Sequence, residues 1–445
     1  MNALLPLLWS YGRTKSRRFS SREALVSWQE KRVQQFLRQI LPQSAFYRAY
    51  YQGLPLSNWR QFPLIDKSVM MANFDRLNTA GIALEEAMAV AKQAECDRNF
   101  RPTLKGYTVG LSSGTSGNRG LFLVSPAEQA AWAGAILAKT LPGSLLDRHN
   151  IAFFLRANSN LYRTVQQRRI QLEYFDLSHP LDQHIDRLNA HPPSILVAPP
   201  SMLRFLAEAQ QQGKLSISPS KIISVAEVLD PIDEQVIRDV FRQTLHQIYQ
   251  CTEGFLATTC AYGTLHLNED SLVIQKDYID EHSGRFAPII TDFNRTTQPI
   301  IRYRLDDILT KRKTPCPCGS PLTALSQIEG RCDDIFYLPA RNGSKLVPVF
   351  PDSIRRTLIL TSDAIQEYAV TQTAAGLQVR IKVPGTQERQ VVPQVKQALQ
   401  QLFTRLDCRV PELTFAPYEQ RQPSTQKRRR IQRTCSQATL RTALR

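Results

Sequence analysis

Six consecutive residues, Ser112-Ser113-Gly114-Thr115-Ser116-Gly117, combine small hydroxyl side chains with two glycines, and Asn118 and Arg119 follow at once. Glycines let a backbone turn tightly and approach a ligand, so several N–H groups can converge on one anion. The hydroxyls add donors and Arg119 adds a fixed positive charge, a combination suited to phosphate. No G-x-x-x-x-G-K-[ST] register fits, so this is not a Walker A loop. A plain Ser/Gly hairpin turn has the same composition. A second group lies further on. Cys316-x-Cys318 is followed by Gly319, a turn suited to paired thiolates, and Cys260 and His266 lie upstream. Three thiols and one imidazole make a closed tetrahedral set with the softness that zinc prefers. The long gap between His266 and Cys316 leaves four unrelated residues as the rival reading. Cys251, Cys332, Cys408 and Cys435 read as small hydrophobes.

The elements that must position these groups follow from periodicity. Apolar residues at helical spacing (Val26, Val33, Phe36, Leu37, Ile40) predict an amphipathic helix within 23–50. From about 107 to 310, β-rich runs such as 151-IAFFL, 195-ILVA and 221-KIISVA alternate with helical stretches near 126–140, 181–190, 200–212 and 231–243. That alternation predicts an α/β fold, a βαβ sandwich with helices on both faces. Residues 311–345 read as a connector rich in Pro, Gly, Cys and Lys. Beyond it, 367-EYAVTQ, 376-GLQVRIKV, a helical run near 388–406 and 412-ELTFAPY form a small α+β unit, and the tail 421–445 is expected to be loosely ordered.

The chain has 445 residues, of which 42% are apolar and 21% charged, a globular profile that excludes wholesale disorder and collagen-like architectures. No window approaches the ~20 apolar residues of a membrane span. The run Leu4–Trp9 is short and has its positive charges after it, the wrong order for a secretory signal. The cysteines therefore read as reduced thiols or metal ligands of a cytoplasmic protein. The formal net charge of +17 raises nucleic acid as a partner. Its placement weakens that reading, because most of the excess lies in residues 1–40 and 421–445 and the body between them is close to balanced.

Several short stretches, taken in order, resemble the adenylate-forming enzymes, the acyl-CoA synthetases and their relatives. The loop Ser112–Gly117 is similar to that family's phosphate loop, T/S-S-G-T-T-G-K; 221-KIISVAEVLD-230 to the adenine-side segment; and 249-YQCTEG-254 to Y-G-x-[ST]-E. The stretches 301-IRYRLDD-307, 329-EGRCDD-334, 61-QFPLIDKSVM-70 and 315-PCPCGSP-321 resemble the phenylacetate-CoA ligase branch, and within it relatives of the synthetases that adenylate a deazaflavin coenzyme. The resemblance runs from about 60 to 350. It implies a large adenylation domain with mixed sheets and flanking helices (61–330) and a small α+β lid (331–420), which the helical periodicity and the charge pattern flank with an N-terminal helical segment (1–60) and a basic tail (421–445).

The activity implied is ATP-dependent joining of a carboxylate, or a hydroxyl, to AMP with release of pyrophosphate, and transfer to an acceptor such as CoA. By resemblance, Ser112, Ser113, Gly114, Thr115, Ser116 and Gly117 hold the β- and γ-phosphates, with Arg119 supplying charge. Ala226 and Glu227 lie beside adenine, on which Tyr249 stacks. Thr252 donates to the α-phosphate, and Glu253 carries Mg²⁺, a hard cation that prefers carboxylate oxygen. Asp307 accepts the ribose hydroxyls, Arg331 contacts ribose or phosphate near the hinge, and Lys427 activates the substrate oxygen. Cys260, His266, Cys316 and Cys318 correspond to a structural zinc site of that branch. A homodimer is left open. Phe153, Phe154 and Tyr162 suit the wall of an acyl pocket and equally a core.

Three departures stand out. Asn118 replaces the usual Lys, and Arg is not its equivalent one place later. Asp306 puts a second acid at the ribose position, which Arg302 or Arg304 would have to offset. Lys427 lacks the usual preceding Gly and sits in 427-KRRR-430, which equally reads as a solvated tail. These departures keep open a degenerate nucleotide-binding homologue and, from the basic ends alone, a nucleic-acid-associated protein.

Overall fold

A computed structural model describes residues 4–97, 102–111, 120–155, 164–343, 345–419, 428–436 and 439–440. Within it the chain divides into two compact units, the second gathering Asp230–Gln235, Asp306–Ile308 and Ile328–Arg445 and the first the remainder.

The first unit opens with two helices, α1 (Leu4–Ser16) and α2 (Arg22–Ile40). Ser21 caps α2 by accepting from the Ala24 N–H, and Leu25, Val33, Phe36, Leu37 and Ile40 form its buried stripe. Two short helices (Ala45–Tyr50, Lys67–Ala72) and α3 (Leu84–Cys96) lead to a small antiparallel sheet of β1 (Thr103–Leu104), β2 (Tyr107–Leu111) and β3 (Leu121–Val124). β2 and β3 pair antiparallel, with Leu111 opposite Leu121. Then comes α4 (Pro126–Thr140), started by a full capping box between Ser125 and Glu128. α1 lies on α4 at Gly134, where a Cβ would stand 2.3 Å from the Leu7 carbonyl oxygen.

The main sheet has twelve strands among the described residues. Its parallel half runs in the order β5 (Ile170–Asp176), β4 (His149–Leu155), β6 (Ile195–Ala198), β7 (Lys221–Ser224), β8 (Leu245–Cys251), with α5 (Leu181–Ala190), α6 (Pro200–Gln211) and α7 (Pro231–Phe241) in the connections. Strict alternation splits these strands between two cores. Phe154, Leu196 and Ile222 pack into one with residues of α5 and α6. Ile151, Phe153, Ile195, Val197 and Ile223 pack into the other with residues of α4. The other strands are β9 (Gly254–Thr259), β10 (Leu265–Leu267), β11 (Val273–Asp280), β12 (Arg285–Asp292), β13 (Ile300–Arg304), β14 (Asp307–Lys311) and β15 (Ala324–Arg331). Their pairings are antiparallel, for example β8 with β9 and β11 with β12. The sheet is therefore mixed, as expected of the adenylation domain and unlike an all-parallel βαβ sandwich. No described helix is long and apolar enough to cross a membrane.

In the second unit, β16 (Phe336–Pro339) pairs with β17 (Leu346–Val349), and α8 (Pro351–Thr361) and α9 (Glu388–Arg405) share a core with the inward residues of β18 (Glu367–Gln372) and β19 (Leu377–Lys382). β20 (Leu413–Pro417) flanks β19, and β21 (Ile431–Arg433) flanks β18, both in parallel. A strand therefore stands where the sequence predicts a loosely ordered tail. What draws it in is charge. Arg430 is buried, donating to Asp233 Oδ1 at 2.8 Å and Glu367 Oε2 at 2.6 Å, and Arg428 also pairs with Glu367. These arginines do not form a solvated basic face.

Candidate functional site

Parallel strands carry their ligands outside their carboxyl ends. β7 and β8 run parallel and in register, Ser224 beside Gln247, so the segment 225–227 follows the carboxyl end of β7 and the turn 252–253 follows the carboxyl end of β8, which runs on to Cys251 paired with β9. Ala226 there has φ of +67°, a left-handed backbone that costs a residue with a Cβ about 1 kcal/mol. Non-glycine residues keep such conformations mostly at functional sites. Glu227 Oε2 accepts the Ser201 N–H at 3.3 Å, placing a carboxylate on the first turn of α6. Tyr249 is buried at the end of β8. Thr252 Oγ1 donates to Glu253 Oε2 at 2.9 Å, and among the described residues nothing bonds Glu253 Oε1. A half-buried carboxylate with one open oxygen fits a hard cation.

The strand that leaves the Ser/Thr/Gly stretch meets this turn. Arg295 donates from Nη1 to the Thr252 carbonyl at 3.0 Å and from Nη2 to the Leu123 carbonyl, on β3, at 3.3 Å. Trp132 on α4 donates to Gln250 Oε1 at 3.3 Å. Ser112–Gly117 and Arg119 themselves lie outside the described residues, as do Lys427 and Tyr162.

Asp307 and Arg331 belong to the second unit. There Arg331 Nη2 lies 3.5 Å from Asp306 Oδ2 and 3.7 Å from Asp333 Oδ2. Arg331 thus faces Asp306. Arg304 is taken by Asp277 at 2.7 Å, and Arg302 is buried with its backbone at φ +49°. Phe154 is core: it is fully buried and stacked on Phe175 at 4.5 Å, while Phe153 packs on the opposite face of the sheet.

Cys260, His266, Cys316 and Cys318 converge, with one ligand atom from each and all within 4.8 Å of one another. Cys260 Sγ is 3.8 Å from Cys316 Sγ, and Cys318 Sγ is 3.4 Å from His266 Nε2. His266 Nδ1 donates to the Leu322 carbonyl at 3.2 Å, which fixes the tautomer and leaves Nε2 directed at the thiols. Burial opposes a thiolate at Cys316, but hydrogen bonds with Thr264, Cys318 and His266 bring its pKa down to about 6. Donor types, spacing and outer partner all fit a tetrahedral zinc.

Sequence reasoning passed over a third set of residues. Arg295, Gln298 and, on α4, Glu128 are polar groups inside the first unit that bond the loop between β12 and β13 to β3 and α4, while Asp292 accepts from Asn294 within that loop. The signal was present as a polar run, 292-DFNRTTQ-298, between two apolar strands.

No protein-family model matches the chain, and no curated protein does so by sequence. Solved structures do match in fold. A 2-hydroxyisobutyryl-CoA ligase in the postadenylation state, bound to R3-HIB-AMP, superposes with a TM-score of 0.69 at 15% identity, covering 97% of this chain and 93% of its own. The amide bond synthetase McbA from Marinactinospora thermotolerans gives 0.53 at 12% identity, covering 72% and 67%. The anthranilate-CoA ligase AuaEII in complex with anthranoyl-AMP gives 0.52 at 12%, covering 77% and 68%. The chain therefore has the fold of adenylate-forming ligases.

Proposed function

We propose that this protein is an ATP-dependent adenylate-forming ligase that activates a small carboxylic acid as its acyl-AMP and passes the acyl group to CoA. One observation carries the reading. A single guanidinium, that of Arg295, bonds both the Leu123 carbonyl on β3, the strand that follows the Ser/Thr/Gly stretch in the chain, and the Thr252 carbonyl of the turn bearing Glu253, which joins segments more than a hundred residues apart. The fold, and the acyl-AMP held by two of the neighbours, support it.

In the proposed reaction a carboxylate oxygen of the acid attacks the α-phosphorus of ATP, the bond to the β-phosphate breaks, and pyrophosphate leaves. The CoA thiolate then attacks the acyl carbon and AMP departs. Such chemistry is mostly positioning and charge neutralisation. Ser112–Gly117 and Arg119 cradle the outer phosphates, Thr252 donates to the α-phosphate, Tyr249 and the 226–227 segment border adenine, and Asp307 takes the ribose hydroxyls. Arg331 holds Asp306 away from that task by pairing with it. Lys427 steadies the attacking oxygen. Glu253 would hold Mg²⁺, which offsets triphosphate charge. Cys260, His266, Cys316 and Cys318 would hold a structural zinc, a closed set that leaves no open position for catalysis. The 61–70, 301–307, 315–321 and 329–334 motifs favour the phenylacetate-CoA ligase branch, near the deazaflavin-adenylating relatives.

ATP–pyrophosphate exchange over a panel of aryl, fatty and hydroxy acids tests the reading. Exchange with at least one acid, abolished in Glu253→Gln, is expected. Full exchange in that variant would remove Glu253 from the magnesium role, and ATP binding without exchange would indicate a degenerate homologue.

A further inference from the structure

We infer that Arg295 is a positioning residue for the nucleotide site, its two-pronged guanidinium fixing the Thr252–Glu253 turn against the strand that follows the phosphate loop. The inference rests on the adenylating reading above.

The two bonds run to backbone carbonyls on segments that nothing else in this loop joins: Nη1 to Thr252 at 3.0 Å and Nη2 to Leu123 at 3.3 Å. Two carbonyls held by one planar fork cannot drift apart without breaking a charge-assisted hydrogen bond. Lysine, a point charge on a flexible stem, holds them less rigidly. The fork is itself anchored. Glu128 Oε1 accepts the Thr296 and Thr297 N–H groups at 2.6 and 2.9 Å, and its Oε2 accepts the Ser125 N–H at 2.8 Å. Burial raises the Glu128 pKa, but the Arg295 charge and these hydrogen bonds outweigh it and keep the carboxylate ionised. Gln298 clamps one side of β3, accepting from the Leu123 N–H at 2.8 Å and donating to the Leu121 carbonyl at 3.1 Å. Behind the turn, the Asp292 carboxylate lies 3.6 Å from where a Cβ on Gly254 would stand. The loop thus acts as a brace whose only forked cation reaches both halves of the site among the described residues.

The consequence falls on ligand geometry. If the Thr252 carbonyl shifts, the Thr252 hydroxyl and the Glu253 carboxylate shift with it, and displacements near 1 Å cost catalysis about a hundredfold. Calorimetric titration of the full-length protein with ATP at a series of Mg²⁺ concentrations reads this without knowing the acid. Arg295→Ala is expected to weaken MgATP binding about tenfold and to raise the Mg²⁺ concentration needed for half-maximal binding. Arg295→Lys, which keeps the charge and bonds one carbonyl, should lie between the two and carries the test if the alanine variant does not fold. A role in stability alone would lower the folded fraction and leave the dissociation constant and the Mg²⁺ requirement unmoved. That result in folded protein overturns the inference. Absence of MgATP binding in the unaltered protein would instead sink the adenylating reading itself.

Discussion

Two buried titratable residues in the first unit pull stability in opposite directions with pH. Burial pushes the Asp292 carboxyl up to about 6, against the Asn294 hydrogen bonds and the Arg295 charge. A folded-state pKa above the unfolded value of ~3.9 gives stability that is full below about pH 4 and lost as pH rises through 6. His184 does the reverse. Burial against the rings of Phe154 and Phe175, with Arg187 and His179 nearby, pulls it down to about 4, so stability is lost as pH falls from ~6.5 toward 4. Asp292→Asn should therefore gain roughly 3 kcal/mol over the unaltered protein between pH 4 and pH 7. His184→Phe should gain on the acid side instead. Melting curves from pH 4 to 7.5 check both, and parallel pH profiles for Asp292→Asn and the unaltered chain would contradict the assignment.

Among the elements, the segment 309–327 changes character most between sequence and structure. It overlaps the stretch 311–345 that reads as a connector, yet it belongs to the first unit, and Cys316 and Cys318 lie beside Cys260, just after β9, and His266, on β10. A turn with few apolar side chains is fixed there by the thiol and imidazole contacts, and a metal would supply what a core does not. We expect about one zinc per purified chain by elemental analysis. Cys316→Ser should lose it and lower the melting temperature, whereas Cys96→Ser, at an exposed position on α3, should do neither. A metal-free protein that melts as before in Cys316→Ser would refute the site. At this scale β5 and β8 escaped the sequence reading because polar residues interrupt them: Gln171 and Glu173 in one, His246 and Gln250 in the other. Their neighbours in the sheet, not their own periodicity, make them strands.

For the whole molecule, the division into units does not follow chain order. The stretch Asp230–Gln235 belongs with residues beyond 328. Asp230 accepts from the Tyr368 hydroxyl and lies 3.4 Å from Arg355, while Asp233 accepts from Arg430 at 2.8 Å. Removing one partner of a buried ion pair costs about 3–5 kcal/mol, because the remaining charge is left uncompensated. A fragment beginning at Ile328 lacks both aspartates and is expected to melt early or without cooperativity, and Asp233→Ala in the full chain should destabilise the second unit in the same direction. Circular dichroism melts decide it. A fragment as stable as the second unit of the intact chain would show these ion pairs to be dispensable.

Periodicity and local motif chemistry were enough to read β4, β6 and β7 in the parallel half of the main sheet, the C-terminal α+β unit and the Cys/His group. Each of these depends on spacing of 2 or 3.6 residues, or on donor types close along the chain. Only the folded chain decided the rest. It turned Arg428 and Arg430 from a basic tail into ion-pair partners, the first half-buried and the second buried, set Arg331 beside Asp306, made Phe154 core, and set Arg295 between β3 and Thr252. Those are pairings across long stretches of chain. A residue's type fixes which bonds it can make; the partner it makes them with depends on which distant segments the sheet brings within about 3 Å.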